Sequence, residues 1–155
     1  MLVEAEPIVL VGDIETPAQD RIARELRCLA EGGQHATLQR GQHDRLGPCD
    51  VVVYHGLPTS ATAGGPQTTD VITLVSSGYP AAMLDLAGLP IESPLIARVR
   101  GGGNPQGRVT TADGRLWQLA SYHPHQMQTG PAWDPMVHGF HTYLEHLLAW
   151  LARLD

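Results

Sequence analysis

Two rhythms of apolar residues alternate along the first third of the chain. Ile8-Val9-Leu10-Val11 is a short run of β-formers that stops at Gly12-Asp13, as a strand buried on both faces would. Thr16 then stands as an N-cap, Pro17 suits a first helical turn and Gln19 takes the capping-box position. Ile22, Leu26 and Leu29 recur at helical spacing until Gly32-Gly33 ends the run. A brief strand follows at His35-Ala36-Thr37-Leu38, and a strongly β-branched one at Val51-Val52-Val53-Tyr54. This order predicts an α/β fold: a three-layer sandwich with a mostly parallel central sheet.

The remainder is more broken. Leu57 to Thr69, with Pro58, Gly64, Gly65, Pro66 and several Ser and Thr, reads as a loop, either a surface connection or a lid. Asp70 to Ser77 reads as a helix ended by Gly78, and Pro80 to Leu84 as a fourth strand. Pro90 and Pro94 forbid a long helix, and Leu95 to Val99 is a further candidate strand. Val109-Thr110-Thr111 and Leu116 to Tyr122 flank Ala112-Asp113-Gly114-Arg115, which predicts a β-hairpin in the C-terminal third. A C-terminal amphipathic helix is expected from about Pro135 to Arg153, with Val137, Phe140, Leu144, Leu147, Leu148 and Leu151 on one face. At 155 residues and 43% hydrophobic content, residues 1–155 form a single α/β domain with one core.

Composition removes several chemistries. All ten basic residues are Arg, so neither a Schiff-base lysine nor a phosphate-loop lysine is available, and Gly101 to Gly107 is an ordinary glycine-rich loop. A net charge of -6 argues against binding nucleic acid or a membrane surface by electrostatics alone. Cys28 and Cys49 lie in unrelated contexts and read as reduced thiols. The start MLVEAEPIVLVG lacks a basic leader segment, and no apolar run approaches the roughly 18 residues a membrane span requires. A cytoplasmic protein without a cofactor is the resulting expectation.

Chemistry concentrates in Ser121-Tyr122-His123-Pro124-His125-Gln126-Met127-Gln128-Thr129-Gly130, where a His-Pro step ends the apolar run Leu116 to Ala120 and turns an imidazole into a loop. Asp13 and Glu15, after Gly12, either activate a water or favour the positive end of the next helix. His138, His141 and Glu145 share a face of a continuous helix and, with His123 or His125, would offer three ligands to zinc; a polar surface face is the alternative.

The SYHPHQMQTG segment resembles the late histidine motif of the uracil-DNA glycosylase superfamily. Leu10 to Arg21 is similar to that family's first-strand loop, Tyr79 to Gly88 to its Pro-apolar strand, and Arg98 to Gly101 to the Arg-Gly before its last hairpin. The resemblance implies a DNA base-excision glycosylase acting on uracil or a related damaged base, with DNA as partner. His123 would stabilise the departing base and Asp13 would serve the water. His55 or Tyr54 would stand in for the base-reading Asn, and Gly12, Glu15 and His125 complete the implied substrate contacts. The first loop lacks the stacking aromatic of that family, since Phe140 is the only Phe.

A second resemblance is to the class I glutamine amidotransferase-like superfamily, through CDVVVYHG and SGYPAAMLDLAG, the second of which occupies its nucleophile elbow. That elbow holds no cysteine here. The implied protein is a non-catalytic α/β domain that binds a small molecule or a protein partner.

Overall fold

In a computed structural model, described for residues 17–59, 66–99, 106–120, 122–125 and 132–154, the strands close into an antiparallel barrel. Helix α1 (Pro17–Glu31) leads into β1 (Ala36–His43), β2 (Gly47–Pro58) and β3 (Thr68–Leu74). Then come β4 (Ala87–Pro90), a 3-10 turn (Pro94–Arg98), β5 (Arg108–Thr111), β6 (Leu116–Ala120) and helix α2 (Phe140–Ala152). The strands are ordered β1-β2-β3-β4-β6-β5, with β5 returning to β1.

This corrects the α/β sandwich with a parallel sheet, and with it the architecture both resemblances imply. A parallel pair needs a crossover of a dozen residues or more, usually a helix. The helix expected over 70–77 is strand β3, whose Thr68-Thr69-Asp70-Val71-Ile72-Thr73-Leu74 is rich in β-branched residues and pairs with β2 from Val51↔Leu74 to Tyr54↔Val71. Pro80 to Leu84 is a turn rather than a strand. Leu95 to Val99 is not extended either: Pro94 opens the 3-10 turn and the Ser93 hydroxyl accepts from the Leu95 N–H at 3.2 Å. The strand expected over 8–11 lies outside the described residues.

Continuous apolar runs arise because both strand faces are covered. Val51, Val53, Ile72, Val109, Trp117 and Leu119 fill the inside of the barrel. Leu38, Val52, Tyr54, Val71 and Leu89 face outward and pack against Ile22, Leu26 and Leu29 of α1 and Phe140, Tyr143, Leu147 and Leu151 of α2. A parallel-looking β2 is thus an antiparallel strand buried by the lumen on one side and by helices on the other. Gly88 lets β4 approach β3 and β6, since a Cβ there would lie 2.6 Å from Ile72 Cγ1 and 3.0 Å from Leu119 Cδ2.

Helix α2 begins at Phe140 rather than near Pro135. Asp134 accepts from the N–H groups of Val137 and His138 at 3.0 and 2.7 Å, forming a turn, and Gly139 then enters the helix extended. The Gly139 N–H donates to Thr142 Oγ1 at 3.0 Å. Glu25 of α1, only 6% exposed, reaches this point. Its Oε1 accepts from the Tyr79 hydroxyl at 2.5 Å and from the Phe140 N–H at 3.0 Å, and its Oε2 from Arg21 Nε at 2.6 Å. A carboxylate at the first N–H of α2 also meets the positive end of that helix.

Glu25→Ala will cost about 3 kcal/mol of unfolding free energy, because two buried donors, the Tyr79 hydroxyl and the Phe140 N–H, and the half-buried Arg21 lose their acceptor. Gly139→Ala will destabilise as well, since its Cβ would overlap the Glu25 carboxylate. Urea unfolding of the two variants against wild type measures both.

Candidate active site at the barrel mouth

The end of the barrel where β2 finishes and β3 begins carries an ordered polar cluster. A β-bulge interrupts the β2–β3 register between Tyr54 and Leu57. Gly56 adopts φ +69 there, a conformation that favours glycine. The bulge directs the Gly56 N–H to Asp70 Oδ1 at 2.8 Å and leaves the His55 ring beside the same carboxylate, Nδ1 to Oδ2 3.6 Å. On the other side of the ring, Nε2 lies 3.0 Å from Thr37 Oγ1 of β1. Gln39 Nε2 donates toward the same hydroxyl at 3.4 Å.

Surrounding contacts hold the imidazole in place. His35 stacks on it at 4.7 Å between centroids, and Gln34 donates to the His55 carbonyl at 2.8 Å. Arg115 of the β5–β6 turn donates to Asp70 Oδ2 at 2.8 Å while its guanidinium lies 4.3 Å above the Trp117 ring. Trp117 is itself fixed from inside the barrel by Nε1 donating to Thr111 Oγ1 at 3.0 Å. The turn that presents Arg115 depends on Gly114 at φ +90 and on Asp113, whose carboxylate accepts from Thr111 Oγ1 at 2.6 Å.

Electrostatics suit proton transfer. Burial holds the His55 imidazole below its ordinary range against the opposing pull of Asp70, so the ring is neutral at neutral pH and in the form that can accept a proton. Asp70 is held below the ordinary carboxylate range; burial pushes it up, but the hydrogen bonds from Arg115 and Gly56 outweigh that. Asp70 and Arg115 also line a cleft of about 350 Å³, with Thr68, Thr69, Glu92 and Ser93 among its walls.

The other expected site residues are dispersed. His123 sits beyond β6, with Nδ1 2.9 Å from both carboxylate oxygens of Asp85, just before β4. Since β4 and β6 are antiparallel, this pair lies at the end of the barrel opposite His55. Tyr54 is fully buried on the helix-facing side and its hydroxyl donates to the Phe140 carbonyl at 2.7 Å. His125 is buried among Trp133, His138, Tyr143 and His146. Gly12, Asp13 and Glu15 lie outside the described residues. His138 precedes α2, so His138, His141 and Glu145 do not share one continuous helix, and among the described residues no group of three or more His, Cys, Asp or Glu is placed to hold a metal ion. Nor is any described helix long and apolar enough to cross a membrane.

Thr37, Asp70 and Arg115 escaped the sequence reading. Asp70 alternates with the inward-facing Ile72 on β3, a period-two signal that the helix assignment concealed. Compared with known proteins, the chain matches no family model, no curated protein and no solved structure. Its class is therefore set by its own architecture: among the described residues, a closed six-stranded antiparallel β-barrel with two packed helices and a hydroxyl–imidazole–carboxylate cluster at one mouth.

The depressed His55 titration carries a sign. Above its ordinary value of 6.5 the ring is neutral both folded and unfolded. As pH falls below that, the unfolded chain takes up the proton first and stability declines until the folded ring also protonates. His55→Gln will flatten this decline between neutral pH and about pH 5 in urea unfolding, and an identical slope in the variant would contradict the assignment.

Proposed function

We propose that the protein is a hydrolase of small esters whose centre is Thr37, His55 and Asp70. The observation that carries this reading is the 3.0 Å contact of Thr37 Oγ1 with His55 Nε2, on a ring whose Nδ1 faces a fixed carboxylate. For the hydroxyl to donate to Nε2, the neutral ring must carry its proton on Nδ1, which Asp70 favours.

Thr37 Oγ1 attacks the ester carbonyl carbon as its proton passes to His55 Nε2. That proton then goes to the departing alkoxide, leaving an acyl-threonine ester. Water attacks the acyl carbon, gives one proton to Nε2 and releases the carboxylic acid, and the proton returns to Thr37 Oγ1. Asp70 stabilises the imidazolium in both halves, and Gln39, whose amide donates toward Oγ1, helps to position that hydroxyl.

With p-nitrophenyl acetate, Thr37→Ala and His55→Ala will each lower turnover at least about 100-fold, the scale of general-base catalysis. The wild-type rate will stay level through neutral pH and fall only on the acid side of the ordinary imidazole value, because burial keeps the folded His55 ring neutral there. Turnover that survives in both variants removes the reading.

A second reading rests on the contact between His123 and Asp85. Asp85 orients the imidazole at the strand end where the glycosylase resemblance puts the group that stabilises a departing base. On single- and double-stranded DNA containing uracil, His123→Ala will then lower abasic product about 100-fold. No abasic product from wild-type protein at high concentration rejects it.

A further inference from the structure

A cluster of three histidines lies outside both candidate sites. The His125 ring, 8% exposed, has the rings of His138 and His146 at 4.9 and 5.0 Å between centroids. They come from three places: the segment after β6, the turn before α2, and α2 itself. Trp133 packs edge-on at 4.9 Å and Tyr143 lies nearly parallel at 6.2 Å, which completes an aromatic wall around His125.

We propose that His125, His138 and His146 form an acid-sensitive latch, which holds residues 122–125 and 132–139 against α2 at neutral pH and releases them as pH falls. Three features carry it. First, the rings of His138 and His146 lie about 5 Å from His125 and repel it once more than one is charged, and His125, only 8% exposed, has little solvent around it to screen its half-buried neighbours. Second, the Asp134 N–H donates to His138 Nδ1 at 2.9 Å, so the neutral ring accepts there. A proton on that nitrogen removes the acceptor and undoes a bond of the turn that leads into α2. Third, the His146 ring is depressed by burial and by its two histidine neighbours.

Among the described residues, the charged groups around the cluster are each turned elsewhere or add positive charge. Glu145 on α2 favours a proton on His146 but is an exposed neighbour in sequence. Asp134 directs its carboxylate to the Met136 N–H at 2.9 Å. Asp85 is engaged by His123, and Arg21 of α1 donates to the His138 carbonyl at 2.7 Å, which adds positive charge nearby.

Amide hydrogen exchange on the whole protein at pH 7.5 and 5.5, corrected for intrinsic rates, tests the latch. Residues 122–125 and 132–139 will lose protection at least about tenfold at the lower pH, while β2 and β6 keep theirs, a tenfold change being what one pH unit of linkage supplies. In the double variant His138→Gln with His146→Gln, the amide oxygen introduced at position 138 still accepts from the Asp134 N–H but neither new side chain titrates, and the pH effect will disappear. Unchanged protection in the wild type, or an effect that persists in the double variant, overturns the proposal.

Discussion

Glu25 is a carboxylate shut inside the layer between the barrel and the helices, and its burial is tolerable only because every partner is in place. Arg21, the Tyr79 hydroxyl and the Phe140 N–H all converge on its two oxygens. Each comes from a different part of the chain, so satisfying one charge fixes the start of α2 relative to α1 and to the segment between β3 and β4. Burial and the adjacent carboxylate keep the Tyr79 phenol protonated and therefore a donor. The Gly139 backbone passes so close to Glu25 that no side chain fits there. With α2 anchored at its first turn, Phe140, Tyr143, Leu147 and Leu151 fall onto the outward face of the strands.

Closure of the barrel supplies the second constraint, and the mouth depends on it. Thr37, His55, Asp70 and Arg115 come from four places in the chain and meet only because β1 pairs with β2, β2 with β3, and the β5–β6 hairpin joins both β4 and β1. Trp117 links the two levels: its ring packs with Val51, Val53 and Ile72 in the lumen and supports the Arg115 guanidinium above. The lumen is mostly apolar, with the Thr111 hydroxyl paired to the Trp117 N–H. Its end is polar because there the backbone and side chains regain solvent, and a bulge at Gly56 turns an imidazole and an N–H toward one carboxylate.

Some residues announced their roles and others concealed them. Ile22, Leu26 and Leu29 with Gly32-Gly33 specify a helix locally, and Asp113-Gly114 specifies a turn, because spacing and a positive φ are properties of a few consecutive residues. Val51-Val52-Val53-Tyr54 is a strand by the same token, yet its unbroken apolarity fits a parallel sheet and a barrel wall equally. Val71 to Leu74 misled because a short apolar run is compatible with helix or strand, and pairing with β2 decides. His123 was legible as a residue at a strand end, whereas its partner Asp85 was not, since nothing between them in sequence signals that β4 and β6 are neighbours.

By itself, then, the sequence determined the first helix and its glycine stop, the Asp113-Gly114 turn, which residues are apolar on which rhythm, and that no lysine chemistry is available. Tertiary structure decided how the strands pair, which of His55, His123 and His125 meets a carboxylate and which is buried among rings, and that Tyr54 serves the packing of α2. The reason is physical. Backbone conformation is biased by a residue and its near neighbours, but closure of the barrel is made by contacts such as Gly41 with Thr111, between residues far apart in sequence. Their free energy exists only once both faces of every strand are covered.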